Sequence, residues 1–204
     1  MAPEFIMIIP PRLRRVPKAR VAVWTGEGGS ASMVEGVGET TEDGGLWRFS
    51  TAFYARAAVA EALIKLQDRG GFDVNLVLFA LWSGLSGRNH LTAAELAQAD
   101  RAAGPIRSEL VEPLRALRRK LRSNPDADIQ RLREQIKGLE LAAERILQTR
   151  LARVAGAPSG DNDPASRLAA AEANLALYLG PEAAGSAEVA IIRDALRAWV
   201  HLDR

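Results

Sequence analysis

The segment DVNLVLFALWSGL, residues 73–85, carries eight large apolar side chains in its last twelve positions. Those side chains recur on nearly every face of a helix, and a helix that is apolar all round is buried among neighbours. Asp73 stands where a carboxylate caps a first helical turn. The segment therefore predicts a helix from Val74 to Leu85 at the centre of a helical bundle.

Amphipathic helical spacing recurs on both sides of this central helix. Apolar residues repeat every three or four positions in runs that begin at Leu46, Val59, Ile106, Ile129 and Val189. No convincing strand pattern follows residue 45. The expected fold is all-α, a bundle of about six to seven helices behind a disordered N-terminal leader.

Glycine, proline and capping residues predict where the helices begin and end. Gly70-Gly71 is typical of a C-cap, and Thr92 with Glu95 has the spacing of a capping box. The predicted breaks lie at Gly104-Pro105, at residues 123–126 and at Gly180-Pro181. Pro113 should kink the helix that follows Ile106, because proline has no N–H to donate. An antiparallel hairpin of residues 106–122 with residues 127–153 is expected.

Four regions are predicted along the chain. Residues 1–45 are predicted to be the leader, and residues 46–122 a helical core. Translation is equally expected to begin at Met33 or at Met1. Residues 123–155 form a long helix that packs back on the core, and residues 156–204 a C-terminal helical pair. Residues 1–32 carry a net charge of +3, whereas the whole chain carries +2, so the positive charge belongs to the leader. The net charge of the chain is therefore a weak argument for nucleic-acid binding by the folded part.

Composition removes several classes of function. The chain has no cysteine, which excludes disulfides and thiolate metal sites, and its two histidines, His90 and His201, are too few for a histidine metal site. Ser86 lies between Gly84 and Arg88, so a nucleophile-elbow pattern fails, and no phosphate loop is present. We expect no catalytic residue, no metal and no cofactor.

The location of the chain is also an expectation from the sequence. No apolar run reaches the ~20 residues of a transmembrane helix. The short apolar run at residues 5–9 precedes its positive charges, whereas a secretory signal has them in front. These patterns predict a cytoplasmic protein that does not enter a membrane.

One part of the chain resembles a known family. LWRFS at 46–50, YAR at 54–56, QDR at 67–69, DVNL at 73–76 and LW at 81–82 look like the signature of a proteobacterial family known only as a domain of unknown function. The likeness runs to the PLR of 113–115 and covers about residues 46–122, with Ala57 where the family would have proline. The resemblance implies a helical fold and brings no activity.

The same segment holds the densest set of polar and aromatic side chains. As a groove for a peptide or small ligand it would use seven of them: Trp47, Arg48, Tyr54, Arg56, Asp68, Asn75 and Trp82. A structural interpretation is favoured, with the tryptophans in the core and Asp68 paired with Arg56 or Arg69. Asn75 and Arg48 are the expected exceptions, because each sits in an apolar neighbourhood and needs a partner.

An arginine-rich stretch follows at residues 101–122. Its candidate contacts to nucleic acid are Arg115, Arg118, Arg119 and Arg122. The stretch lacks interleaved aromatics, and its arginines should lie opposite a stripe that runs from Ile106 to Leu121. A solvated face is therefore favoured over a nucleic-acid site.

Function is not specified by these features. The leading hypothesis is a non-catalytic protein-interaction or adaptor module that binds another protein. The alternative is weak nucleic-acid binding through residues 101–122, and a third hypothesis is an enzyme without a familiar motif.

Overall fold

A computed structural model of the chain describes residues 44–88, 90–158 and 163–202. The leader up to residue 43 and the alternative start at Met33 lie outside these residues. The described part is helical and contains no strand. Its helices are α1 Gly44–Tyr54, α2 Ala57–Gly70, α3 Val74–Leu85, α4 Ala93–Ile106, α5 Glu112–Lys120, α6 Ala127–Val154, α7 Pro164–Ala184 and α8 Ala187–Leu202, with a π-helical turn, Arg107–Val111, between α4 and α5. None of them is long and apolar enough to cross a membrane.

The central position of α3 is confirmed. Every residue from Val74 to Gly84 is buried, and α1, α2, α4, α6 and α7 all pack against this helix. The closest approach is between Gly84 and α7, where a Cβ on Gly84 would lie 2.2 Å from the backbone nitrogen of Ala171. The small residues at this crossing let the two backbones touch.

The predicted caps are also confirmed. The Asp73 carboxylate accepts a hydrogen bond from the Asn75 N–H, and Gly71 adopts the left-handed conformation with φ 68° that ends α2. Thr92 and Glu95 form the reciprocal capping box. These hydrogen bonds join residues close together in sequence, so these helix ends do not depend on tertiary contacts.

One predicted break is wrong. The chain passes through Gly104-Pro105 without leaving the helix, because the φ of proline is compatible with helical geometry and the Pro105 side chain lies exposed. Before Pro113 the helix widens into the π turn, in which the Glu112 N–H donates to the Arg107 carbonyl. One continuous helical rod therefore runs from residue 93 to residue 120.

The orientation of the rod contradicts part of the prediction. We expected the stripe from Ile106 to Leu121 inside and the arginines in solvent. Ile106 is buried and Leu114 packs against the core, but Leu110 and Leu117 are exposed and Arg118 is buried. The physical reason is on α6, where buried Glu140 and Glu144 face the arginines. Opposite charges on the two helices thus decide which side of α5 faces inward.

At the C-terminal end, α7 lies along α3 and α8 packs against α2. Gly180 has φ 75° and ψ 171°, which is not helical, so the first helical segment of α7 ends at Leu179 as predicted, and a second, short segment follows the kink to Ala184. Val189, Ile192 and Leu196 of α8 are fully buried. In the antiparallel hairpin of α5 and α6, α5 contacts little besides α6 and the π turn, whereas α6 also packs against α1, α3 and α4.

Candidate functional site

A cleft of about 700 Å³ opens between the start of α3, α4, the π turn and α7. Its lining combines charged and apolar side chains. The charged ones are Asp73, Asp100, Arg107, Glu112 and Arg115, and the apolar ones include Phe72, Leu76, Leu96, Val111, Leu177 and the ring of Tyr178. Clefts of this size with a few converging polar groups are typical of binding sites.

Arg107 organises the polar side of the cleft. It projects from the π turn, and its Nε donates to Asp73 Oδ2 at 2.5 Å while its Nη2 donates to Asp100 Oδ1 at 2.8 Å. The two carboxylates raise the pKa of Arg107 against the lowering effect of its partial burial. Single π turns inside α-helices frequently occur at functional sites, because they redirect one or two side chains. Here the turn directs a guanidinium onto the cap of α3.

Tyr178 closes the opposite side. Its Oη accepts a hydrogen bond from the Asp73 N–H at 2.9 Å, and its ring meets Phe72 edge-on at 5.8 Å. Burial raises the pKa of the Tyr178 phenol to about 12. The hydroxyl is therefore neutral at physiological pH and keeps its own hydrogen for donation.

A buried ion-pair network lies behind the cleft. Arg115 donates to Glu140 at 3.1 Å and to Glu144 at 2.8 Å, and Arg118 contacts both oxygens of Glu140. Burial raises the pKa of Glu144 to about 7, with Arg115 opposing the shift and Glu140 adding to it. The network fixes α5 against α6 in an antiparallel register.

Asn75 has the buried partner that its apolar surroundings require. Its Oδ1 accepts from Gln148 Nε2 at 2.9 Å, which joins α3 to α6. Arg48 is exposed and its predicted need for a partner disappears.

Outward from this network, the hairpin presents a second feature. Five large apolar side chains are between 44% and 58% exposed: Leu110, Leu117, Leu132, Leu139 and Ile146. We call this set the leucine face. Leu132, Leu139 and Ile146 follow one another at seven-residue spacing, so they share one face of α6, and Leu110 and Leu117 repeat that spacing on the neighbouring rod. Exposed apolar patches of this kind mark interaction surfaces.

The seven predicted groove residues do not share one surface. Asn75 alone lines the cleft. Trp82 and Tyr54 are buried, Trp47 and Arg56 are half-buried, and Arg48 and Asp68 are exposed. Whether any of these seven binds a partner stays a prediction.

The predicted pairing of Asp68 is wrong. Arg56 donates to the Ala195 carbonyl at 2.7 Å and stacks on Trp199, and Arg69 reaches Glu188 at 3.5 Å. These contacts tie α2 to α8, because α8 packs beside α2 and offers acceptors that the sequence does not place. Trp82 also has a cation on its ring, since Arg88 lies 4.2 Å from the ring centre.

The four candidate nucleic-acid contacts divide into two pairs. Arg115 and Arg118 are held by the buried glutamates, whereas Arg119 and Arg122 are exposed. A row of four arginines for a phosphate backbone is therefore not presented on one surface.

Sequence reasoning missed the residues that form the cleft and the network. Arg107, Asp100 and Tyr178 come together only through the packing of α4 and α7 on α3. A signal did exist for Glu140 and Glu144, which lie on the same side of α6 as its apolar residues. Glutamates in that position require buried cations. Among the described residues no cluster of potential metal ligands occurs.

Comparison with known proteins connects the chain to one family. No curated protein and no solved structure matches it. A model of the family described as "Protein of unknown function (DUF2390)" matches residues 45–151. The match runs past residue 122, where the resemblance seen in the sequence stops, and includes nearly all of the α5–α6 hairpin. Because it spans more than half of the 204 residues, the chain belongs to this family of proteins of unknown function.

Proposed function

We propose that this chain is a non-catalytic protein-interaction or adaptor module, and that it binds an amphipathic helix of another protein on the leucine face. One observation carries the proposal. Five large apolar side chains of the π turn, α5 and α6 are each more than two-fifths exposed, and the three on α6 share one face of that helix. Burying them against a partner removes apolar surface from water, at roughly 25 cal/mol for each Å².

The geometry of the leucine face favours a helix as the bound element. Leu132, Leu139 and Ile146 are seven residues apart on α6, so they form a straight row along the helix. A partner helix that places apolar residues at i, i+3, i+4 and i+7 can lie along such a row. Leu110 and Leu117 repeat the same spacing on the neighbouring rod.

Charge defines the chemistry of the partner more closely. From Glu112 to Val154 the exposed charged side chains are mostly basic. Seven basic ones, Arg119, Lys120, Arg122, Arg131, Arg145, Arg150 and Arg153, stand against four carboxylates, Glu112, Asp126, Asp128 and Glu134. The expected partner is therefore a helix whose apolar stripe is flanked by acidic residues, since complementary charge steers association.

Two sequence-based expectations belong to the same proposal. We place the protein in the cytoplasm of a proteobacterium, supported by the LWRFS and DVNL motifs and by the order of charges around residues 5–9.

The nucleic-acid alternative has less support, because two of its four arginines are used in buried ion pairs. The hypothesis of an enzyme rests on no observed feature.

The test compares one double variant and one single variant of the full chain. Leu132→Gln with Leu139→Gln removes the centre of the leucine face, and Ile191→Gln, at an exposed position of α8, is the matched control. Both variants should keep their helical circular dichroism and melting temperature, since the altered side chains are exposed. A photo-reactive amino acid at position 139, and in the control at position 191, then captures the partner from native lysate treated with nuclease.

The captured segment is synthesised as a peptide and its affinity is measured by calorimetry. The proposal expects an amphipathic helix that binds the parent and the Ile191→Gln control, and that binds the double variant at least 10-fold more weakly. Equal binding by the double variant overturns it. Self-association of the chain through position 139, or capture that is lost with nuclease, overturns it as well and identifies the competing interaction.

A further inference from the structure

The apolar row on α6 ends at a pair of cations. Leu132, Leu139 and Ile146 follow one another at seven-residue spacing, and the next position in that spacing is Arg153. Arg150 lies one turn after Ile146 on the same side, and both arginines are exposed. The exposed face of α6 is therefore apolar along most of its length and positively charged at its C-terminal end.

The N-terminus of α1 lies at that same end of α6. A Cβ on Gly45 would lie 3.4 Å from the Trp82 ring, and the Arg88 guanidinium lies 4.2 Å from the centre of this ring. Arg88 Nε in turn donates to the Gly156 carbonyl at 2.6 Å, two residues after α6 ends at Val154. The chain therefore enters α1 close to the cationic end of α6, against which α1 also packs.

The segment that precedes α1 has the opposite charge. Residues 33–43, MVEGVGETTED, contain four carboxylates and no basic side chain. Three of the carboxylates lie in residues 39–43, next to α1, whereas the large apolar residues lie in residues 33–37. Counted away from α1, the segment is acidic and then apolar. Counted back from its C-terminus, the exposed face of α6 is cationic and then apolar, so the two match in charge and in order.

The segment is also long enough to follow the row on α6. An extended chain spans at most about 3.6 Å per residue, so residues 33–43 reach ~36 Å. A helix rises about 1.5 Å per residue, so Leu132 and Arg153 are about 32 Å apart along α6. The apolar part of the segment can therefore reach Leu139 while its acidic part stays beside Arg153.

From this match we propose that residues 33–43 lie along the leucine face of their own chain when no partner is bound, parallel to α6. The carboxylates of the segment face Arg150 and Arg153, and its apolar residues pack on Ile146 and Leu139. Because the segment is tethered, its effective concentration at α6 is on the order of millimolar, and weak contacts suffice to occupy the row. This part of the leader then differs from the disordered segment that its composition predicts.

The docked segment regulates the leucine face by competition. It offers apolar side chains next to carboxylates, which is also the chemistry of the partner helix proposed above. A partner must displace the segment, so the segment lowers the apparent affinity of the face. This competition rests on the proposed function, whereas the docking of the segment does not.

An introduced pair of cysteines reports where the segment lies, because the chain has no cysteine of its own. Val37→Cys with Leu139→Cys in the full chain should form a disulfide within one molecule under mild oxidation. The matched control is Val37→Cys with Glu134→Cys, since Glu134 is exposed, close along α6, and about 140° around the helix from Leu139. Intact mass and peptide mapping follow both disulfides with time. The pair with position 139 should close about 10-fold faster, because docking raises the effective concentration of its cysteine there.

Two charge variants test the electrostatic part of the match. Glu39→Lys with Glu42→Lys, added to the 37–139 cysteine pair, should slow its closure by about 10-fold, because like charges then meet at the end of α6. Adding Arg150→Glu with Arg153→Glu to that variant exchanges the charges and should restore rapid closure. Both arginines are exposed, so the melting temperature should change little.

Three outcomes overturn the proposal. They are equal closure rates for the two cysteine pairs, failure of the charge exchange to restore rapid closure, and disulfides between two chains, which identify a second copy as the occupant. Rapid closure of the 37–139 pair without capture of a helix at position 139 supports the docking and leaves the proposed function to fail alone. Capture of a helix with equal closure rates gives the reverse result.

Discussion

Arg118 on α5 donates from Nε to Glu140 on α6 at 2.5 Å, and each of the two side chains is less than 5% exposed. This pair brings Arg118 of α5 inward, whereas Arg119 and Leu117 on the same helix stay exposed. A buried pair of this kind is weak evidence of stability by itself, because the desolvation of two ions offsets much of their attraction. It does specify the register of the hairpin.

Removing one member of the pair should be costly. Arg118→Met leaves Glu140 buried with one cation fewer, and the free energy of unfolding should fall by about 3–5 kcal/mol. Arg118→Met combined with Glu140→Leu should recover most of that loss, since no buried charge is then left unpaired. Urea denaturation of both variants measures the difference. Full additivity of the two substitutions would show that the side chains are not coupled.

Glu144 predicts a dependence of stability on pH. Burial raises its pKa from 4.5 to about 7, so the folded chain holds a proton that the unfolded chain releases at lower pH. The free energy of unfolding should therefore fall as pH rises from 4.5 to about 7, and this contribution is constant above that range. Glu144→Gln removes this contribution. The stability difference between parent and variant should change by on the order of 3 kcal/mol across the window.

Chemical denaturation at several pH values between 4.5 and 8 tests this expectation. The parent should show the downward slope and the variant should lack it. If parent and Glu144→Gln have parallel profiles, Glu144 is ionised throughout and its pairing with Arg115 outweighs its burial.

Gly84 should tolerate no side chain. A Cβ there would meet the backbone of Ala171 at 2.2 Å, so Gly84→Ala must force α3 and α7 apart. The expected loss is about 3 kcal/mol. Gly138→Ala is the matched control, because a Cβ at this helical position meets nothing within 4 Å. It should stabilise the chain by about 0.5–1 kcal/mol. Thermal melting that shows the same change for both variants would rule out the close approach.

Trp82 and Trp199 should differ in their contribution to the free energy of unfolding. Trp82 is 5% exposed in the central helix, and Trp82→Ala should cost about 3–5 kcal/mol. Trp199 is half-buried against Phe49, Phe53 and Arg56, and its replacement by alanine should cost less, about 2 kcal/mol. Denaturation curves compare them. If Trp82→Ala leaves stability unchanged while a partner no longer binds, Trp82 is a contact for that partner and the predicted groove regains support.

Asp73 serves as a cap and as a charge partner, and two substitutions separate these roles. Asp73→Asn keeps a capping oxygen for Asn75 and loses the ion pair with Arg107. Asp73→Ala loses both, so it should cost about 1 kcal/mol more than Asp73→Asn. Equal losses in guanidinium denaturation would mean that the cap contributes nothing beyond the pair.

Local patterns predicted much of the fold, for reasons visible in single residues. Asp73, Gly71 and Thr92 act within four positions of themselves, so their hydrogen bonds depend on little beyond the local chain. Gly104-Pro105 failed as a break because the cost of a proline inside a helix was offset by burial of Ala103 and Ile106 on the same rod. A local signal was overridden by packing.

The cleft could not be predicted in the same way. Tyr178 reaches the cap of α3 across 105 positions of sequence, and Arg107 reaches it across 34. The candidate groove residues were chosen because they are close together in sequence, but a helix turns neighbouring side chains to different faces. Only Asn75 of that set lines the cleft.

By itself, the sequence determined the all-α class, the buried central helix and the positions of most helix ends, since these follow from apolar periodicity and from contacts within one turn of helix. The tertiary structure alone decided which side of α5 faces inward. That side was ambiguous because α5 carries leucines and arginines on neighbouring faces, and the structure buries Leu114 with Arg115 and Arg118 but leaves Leu117 and Arg119 exposed. The choice depended on Glu140 and Glu144 of another helix, whose carboxylates cannot be buried without the arginines to neutralise them.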